Sequence, residues 1–227
     1  MAEFAMTRQE RERPVNRSDE ELAMRAMMDA EMRYLYPSAR IIHELALRYC
    51  SNSIDLTAVT QDKIIGVEIK SSRDTLERLE KQITAFAPIC SLVFVAVAPK
   101  HFDAAQSIAL RDDMPNVIVE TCCAMTGRVV VDPFWMNNKS RRQRPWSYRQ
   151  LGALRVAELH QIAFEHRLHC PSRHDLIVDA LCDKMTGNEV MRAVCDTLRR
   201  RVSPNVMSDE PIGSSRSAPK DLIASDV

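Results

Sequence analysis

The sequence predicts an α/β fold with a mixed central β-sheet flanked by helices, followed by an all-helical C-terminal module. Three observations carry that reading. Between residues 40 and 70 the helical period gives way to three short apolar or β-rich runs, Arg40–Leu47, Ile54–Val59 and Lys63–Lys70. Ser91–Ala98 is a continuous apolar run, SLVFVAVA, the signature of a strand buried on both faces. From Gln150 to Arg201 the pattern is helical again.

Taken in order, residues 1–17 are polar and charged and are expected to be disordered, as is the Pro- and Ser-rich tail 203–227. Ser18-Asp19-Glu20-Glu21 is a helix start, and Leu22, Met24, Ala26, Met28 and Met32 supply its apolar side up to Pro37. The three strands follow, the second and third joined as a hairpin through Gln61-Asp62. Ser71-Ser72-Arg73-Asp74 starts a helix that buries Leu76, Leu79, Ile83 and Phe86 and ends near Pro88. Beyond the Ser91–Ala98 strand come a helix over 104–111 and two short strands, Val117–Glu120 and Arg128–Val131. The helices of the C-terminal part are expected at 150–168, 172–185 and 188–201, separated by Cys170-Pro171-Ser172 and Thr186-Gly187-Asn188. The organisation is therefore an α/β domain over 18–138, a basic linker over 139–149 and a helical module over 150–202.

Composition excludes several functions. The 227 residues hold only five glycines, no two closer than 25 residues, so neither a dinucleotide fingerprint nor a phosphate-cradling P-loop is present. No apolar run approaches the roughly 20 residues of a membrane helix, and the N-terminus lacks a secretory core, so a cytoplasmic protein without membrane contact is expected. Seven cysteines without a CxxC pair fit reduced thiols better than a disulfide framework. The net charge is zero, yet it is unevenly spread: −4 over residues 1–138, +6 over 139–202 and −2 over 203–227. The positive region peaks at Lys139–Arg149.

Asp55 and Glu68 are acids inside apolar strands, where a charge is costly unless it is paired or binds a cation. With Gln61-Asp62 as the loop, Thr60 pairs with Lys63 and Asp55 lies opposite Glu68, about 4.5–5.5 Å away between Cβ atoms. Two carboxylates so placed repel unless a divalent cation lies between them. Alternation puts Gly66, Glu68 and Lys70 on one face and Ile65, Val67 and Ile69 on the other. Gly66 is expected to leave open space on the charged face, where a phosphate backbone could approach. Hard oxygen ligands beside a lysine suit metal-assisted phosphodiester hydrolysis: the ion lowers the pKa of its water and the lysine orients the nucleophile. The competing reading is an incidental surface pair, since an E-x-K triplet arises by chance in a chain of this length. Asp74, Arg78 and Gln82 fall at i, i+4 and i+8, so Arg78 and Gln82 could overlook the site; Asp74 and Arg78 could equally form an ion pair on a solvated face.

The run Ile41-Ile-His-Glu44-Leu-Ala-Leu, Ser53-Ile-Asp55-Leu-Thr-Ala-Val59 and Gly66-Val-Glu68-Ile-Lys70-Ser-Ser-Arg-Asp74, with Gln82 and Phe86, resembles the PD-(D/E)XK phosphodiesterase superfamily. It is closest to small, poorly characterised bacterial and phage members and more distantly similar to VRR-Nuc and RecB-like nuclease domains. The resemblance covers about residues 19–102 well and the helical part loosely. It implies a restriction-endonuclease-like core and a Mg²⁺- or Mn²⁺-dependent nuclease, in repair, recombination or phage–host conflict. It also implies site roles. Glu44, Asp55, Glu68 and the Ile69 carbonyl would be metal ligands, Lys70 the catalytic lysine, and Gln82 a substrate-positioning residue. Gln82 and Phe86 are similar to a Gln-x-x-x-Tyr element, with the tyrosine hydroxyl absent. Ile54 stands where the superfamily name has proline.

Arg141, Arg142 and Arg144 with Trp146 and Tyr148 combine phosphate-neutralising charge with rings that could stack on bases. A nucleic-acid partner is expected from them, and the nuclease resemblance favours DNA over RNA; a solvated linker is the competing reading, and a protein partner is also compatible. His160, His166, His169 and His174 with Cys170 match no familiar zinc spacing. Residues 158–177 loosely resemble helix-extended-loop-helix DNA-binding modules such as SAP. The alternative to an enzyme is a non-catalytic nucleic-acid-binding or interaction module that keeps the nuclease fold.

Overall fold

Ser18 opens the first helix because its hydroxyl accepts a hydrogen bond from the Glu21 N–H at 3.2 Å, while Asp19, Glu20 and Glu21 set negative charge at the positive helix end. In the computed structural model, residues 18–48, 53–109, 116–123, 128–131, 147–169 and 172–201 are described. The helix α1 runs Asp19–Leu35. Met24, Met28 and Met32 are fully buried, at the i, i+4, i+8 spacing of one helical stripe. Leu22 and Ala26 do not join the core as expected: Leu22 is 49% exposed and Ala26 is exposed too. Each lies two residues from Met24, about 200° round the helix and so on its far side.

Six strands follow the chain in their order across one sheet: β1 (Arg40–Ala46), β2 (Ser53–Val59), β3 (Ile64–Lys70), β4 (Leu92–Val97), β5 (Val117–Cys123) and β6 (Arg128–Val131). The sheet is mixed. Pairs β1–β2, β2–β3 and β5–β6 are antiparallel, and β3–β4 and β4–β5 are parallel. From Leu56 to Val59 the β2–β3 register is the one read from the sequence: Val59 faces Ile64, Leu56 faces Val67, and the Thr60 N–H donates to the Lys63 carbonyl at 3.0 Å across the tight loop. The ladder stops at Leu56, and the expected Asp55–Glu68 pair is not part of it. Val93 through Val97 are buried, as a central strand covered on both faces requires.

The second helix, α2 (Leu79–Phe86), starts later than expected. Asp74 turns back to accept from the N–H and hydroxyl of Ser71, at 2.7 and 2.6 Å, which makes a turn of the segment the sequence reads as a helix start. After a 3₁₀ turn at Pro99–His101 comes α3 (Phe102–Ala109). In the C-terminal part the expected helix 150–168 is two helices, α4 (Ser147–Leu151) and α5 (Val156–Glu165). Gly152 lies in the break, and Glu158 caps the restart by accepting from the Arg155 N–H at 2.6 Å. The last two are α6 (His174–Lys184) and α7 (Gly187–Arg200).

The sheet has two unlike faces. On one, the methionines of α1 pack on Leu56, Ala58, Ile65, Val67, Ile69, Phe94, Ala96 and Ile118. On the other, Leu79, Ile83 and Phe86 of α2 share a single core with Val93, Val95, Val97, Val117 and Val119 and with Leu151, Leu159, Ile177, Leu181, Val194 and Leu198 of the C-terminal helices. Those helices are fastened to the sheet by polar contacts as well. Arg40 of β1 donates to the Leu198 and Arg199 carbonyls at 3.1 and 2.8 Å, where α7 ends. Arg48 N–H donates to the Gly152 carbonyl at 3.1 Å, and Gln150 to the Ile89 carbonyl at 3.3 Å.

Gly66 overturns one expectation. A Cβ at this position would stand 3.0 Å from Cys90 Sγ and 3.3 Å from Ile54 Cγ2, so there is no open space for phosphate. Its missing side chain lets Cys90 and Ile54 close over β3.

Candidate functional site

The sheet is regular near the Gln61-Asp62 loop and irregular at the far end of the same hairpin. His43 pairs with Leu56 and Leu45 with Ile54, but the intervening Glu44 and Asp55 do not pair, although no residue is inserted. Glu44 has φ 54°, a left-handed conformation that costs a residue with a Cβ about 1 kcal/mol or more. Across Asp55 the alternation of faces also breaks: Leu56 lies in the α1 core and Ile54, two residues away, in the opposite one. The Ile69 N–H of β3 meets the Asp55 carboxylate, donating to Oδ2 at 2.8 Å.

Three acids and four side-chain donors assemble there. The Arg25 guanidinium of α1 donates to Asp55 Oδ1 at 3.1 Å, to Glu44 Oε1 at 3.0 Å and to the Asp55 backbone carbonyl. The Ser53 hydroxyl donates to Glu44 Oε2 at 2.7 Å. On β3, Lys70 Nζ donates to Glu68 Oε1 at 2.6 Å, and the Gln82 amide of α2 donates to the same oxygen. Glu68 is 1% exposed, Lys70 6% and Gln82 7%, so this is a buried pair with its polar neighbour. Two acceptors at this cluster have no donor among the described residues: Glu68 Oε2 and Gln82 Oε1.

Burial pushes the Glu68 carboxyl up to about 7, with repulsion from Asp55 adding to the effect and Lys70 and Gln82 opposing it. Asp55 is raised too, again by burial, while the Ile69 N–H and Arg25 pull it down. The loop after Lys70 is pinned from two sides. Glu20 of α1 accepts from the Ser72 N–H at 3.0 Å and from its hydroxyl, and Asp74 holds Ser71.

The structure thus brings Glu68, Lys70 and Gln82 into direct contact and sets Asp55 beside them through the Ile69 amide. Glu44 joins Asp55 through Arg25. Arg78 is exposed and precedes α2, and Asp74 is bonded to Ser71, so the i, i+4, i+8 helix face read from the sequence is not formed. Arg141, Arg142, Arg144 and Trp146 lie outside the described residues; Tyr148 is 38% exposed at the start of α4. Among the C-terminal histidines, His166 and His169 are exposed and His174 is buried.

Arg25 was not read from the sequence as a site residue. The available signal was its place on the α1 stripe, between Met24 and Met28, where a charge must find a partner to be buried. Ser53 and Glu20 carried no such signal, because their roles depend on strand and loop positions distant in sequence.

The fold and site define an α/β protein with a mixed sheet, flanking helices and a buried carboxylate–lysine cluster at the end of a β-hairpin. Residues 18–224 match the family described as Bacteriophage P4 protein cII, and the chain belongs to that family. No curated protein and no solved structure matches it. No helix among the described residues is long and apolar enough to cross a membrane.

The metal implied by the resemblance can be tested against this donor set. Among the described residues, no three His, Cys, Asp or Glu side chains converge as a ready metal cage. Asp55 and Glu68 remain, with Glu68 Oε2 and Gln82 Oε1 as buried acceptors that a cation would satisfy. The residues fit an ion held by Glu68 Oε2 and by Asp55 Oδ2, the Asp55 oxygen that Arg25 does not take.

Proposed function

We propose that this member of the P4 cII family is a metal-dependent phosphodiesterase acting on nucleic acid, DNA in preference to RNA, on a restriction-endonuclease-like core. One observation carries the reading: a buried Glu68–Lys70 pair ends a central strand, beside Asp55 of the neighbouring strand, with a Glu68 oxygen left unpartnered. The order helix, three-strand meander, helix, parallel strand over residues 19–97 supports it.

Asp55, Glu68 and the Ile69 carbonyl would hold Mg²⁺ or Mn²⁺. When bound, such an ion lowers the pKa of its water and offsets charge on the reacting phosphate. Lys70, an ammonium with three donors, gives one of them to Glu68 Oε1 among the described residues and can also donate to an attacking water or a phosphate oxygen. Gln82 holds Glu68 in its rotamer by donating to the oxygen that also accepts from Lys70. The basic segment over 139–149, which includes Tyr148, would supply phosphate neutralisation and stacking.

The test is cleavage of linear, circular, single-stranded and forked DNA, with RNA as comparison, in Mg²⁺ or Mn²⁺. Lys70→Ala is expected to lose roughly 10²–10³-fold in rate. Equal cleavage by Lys70→Ala and the parent, or none by the parent on any substrate, overturns the reading. One observation favours the second reading, a non-catalytic binding module: Arg25, not an ion, bridges Glu44 and Asp55. Calorimetric binding of Mn²⁺ that disappears in Glu68→Ala supports the enzyme over that module.

A further inference from the structure

Arg25 enters the acid cluster as a cation that the chain itself provides. It is 7% exposed, and it spans both carboxylates nearest the interruption in the β1–β2 ladder, Glu44 at 3.0 Å and Asp55 at 3.1 Å, as well as the Asp55 carbonyl. Glu21, one turn earlier on α1, adds an acid at 3.6 Å from the same guanidinium nitrogen. Ser53 then takes the remaining oxygen of Glu44 and the Ile69 amide the remaining oxygen of Asp55. Of the three carboxylates only Glu68, at Oε2, has an oxygen without a donor among the described residues, and Gln82 Oε1, on the amide bonded to Glu68, has none there either.

A guanidinium is planar, permanently charged and able to bridge carboxylates through several N–H groups. It bridges Glu44 and Asp55 with one positive charge, half of what a divalent ion would bring, and needs no ion from solution. We propose that Arg25 is a tethered cation that holds Glu44 Oε1 and Asp55 Oδ1, so that the site takes a single divalent ion, at Glu68 Oε2 and at Asp55 Oδ2, where the Ile69 N–H leaves a second lone pair. This rests on the metal-centre reading above and narrows it: Glu44 is an anchor for Arg25 and not an ion ligand.

The experiment counts Mn²⁺ bound to the full chain by electron paramagnetic resonance, with affinity from calorimetry, for the parent, Arg25→Met, Glu44→Gln and Glu68→Gln. The parent is expected to bind a single ion and Glu68→Gln to bind it at least about 10-fold more weakly, while Glu44→Gln stays within about threefold of the parent. Arg25→Met, with its charge removed, is expected to take up a second ion. Two ions in the parent, or a single ion in a folded Arg25→Met protein, overturns the tethered-cation proposal and leaves the metal centre standing. No ion in any variant overturns both. Where circular dichroism shows Arg25→Met unfolded, Glu44→Gln decides: a loss of about 10-fold or more in ion affinity makes Glu44 a ligand and overturns the proposal.

Discussion

The two ends of the β2–β3 hairpin are built from the same strands and do opposite things. Near the loop, Val59 and Ile64 pair in register, both are fully buried, and the turn closes on one main-chain bond. At the other end, Asp55 meets a main-chain N–H with its side chain, Glu44 takes a left-handed backbone, and three carboxylates are held by Arg25, Lys70 and Gln82. The first end is assembled from apolar burial, which is non-directional and tolerates little change in volume. The second depends on directed polar contacts whose desolvation cost roughly cancels their attraction. Stability should therefore reside at the loop end and in the flanking cores, and chemistry at the interrupted end.

The largest expected effect breaks the pair outright. Glu68→Gln with Lys70→Met removes a buried ion pair in favour of neutral groups of similar size; cleavage should vanish while thermal stability stays level or rises by about 1–4 kcal/mol. Loss of both in parallel would place the folding energy in the pair and erase the contrast. Gly66→Val should do the reverse of an active-site change. The added methyl groups meet Cys90 and Ile54, and a loss of about 1–3 kcal/mol in chemical denaturation is expected, partly restored by Cys90→Ala.

A third measurement concerns pH. Glu120 on β5 is fully buried with neither carboxylate oxygen partnered among the described residues, and burial, with Glu31 of α1 nearby, pushes it from 4.5 up to about 8. A carboxyl raised on folding contributes stability below its unfolded value and loses it as pH climbs through the folded one. The melting temperature of the parent should therefore fall between about pH 4.5 and 8, with Glu68 contributing to the slope up to about 7. In Glu120→Gln the slope should flatten, most visibly between pH 7 and 8; an unchanged slope would show that Glu120 titrates normally. The smallest effect is at the cap of α1. Ser18→Ala removes the bond to the Glu21 amide and should cost about 1 kcal/mol, read as a lower melting temperature.

Most strands were legible because burial imposes a period on each of them. The run SLVFVAVA reads as a doubly covered strand without knowledge of its neighbours, and the Gln61-Asp62 loop sets the register that brings Asp55 toward Glu68. The helix over 79–86 was misjudged at its start because Asp74 serves equally as a helix cap or as a turn acceptor, and only its distance to Ser71 chooses. Gly66 was misjudged for a related reason. Alternation placed it correctly on the face of Glu68, but what fills that face, Cys90 from the loop after α2, comes from 24 positions along the chain.

The sequence by itself determined which residues alternate, where the hairpin turns, and that Asp55, Glu68 and Lys70 share one end of it, since these follow from local period and loop length. Only the tertiary structure decided which donors of α1 and α2 reach these acids. Arg25 is 30 residues from Asp55 and Gln82 is 14 from Glu68. Their meeting depends on how α1 and α2 pack on opposite faces of the sheet, a result of apolar burial that carries no information about the charges it brings together.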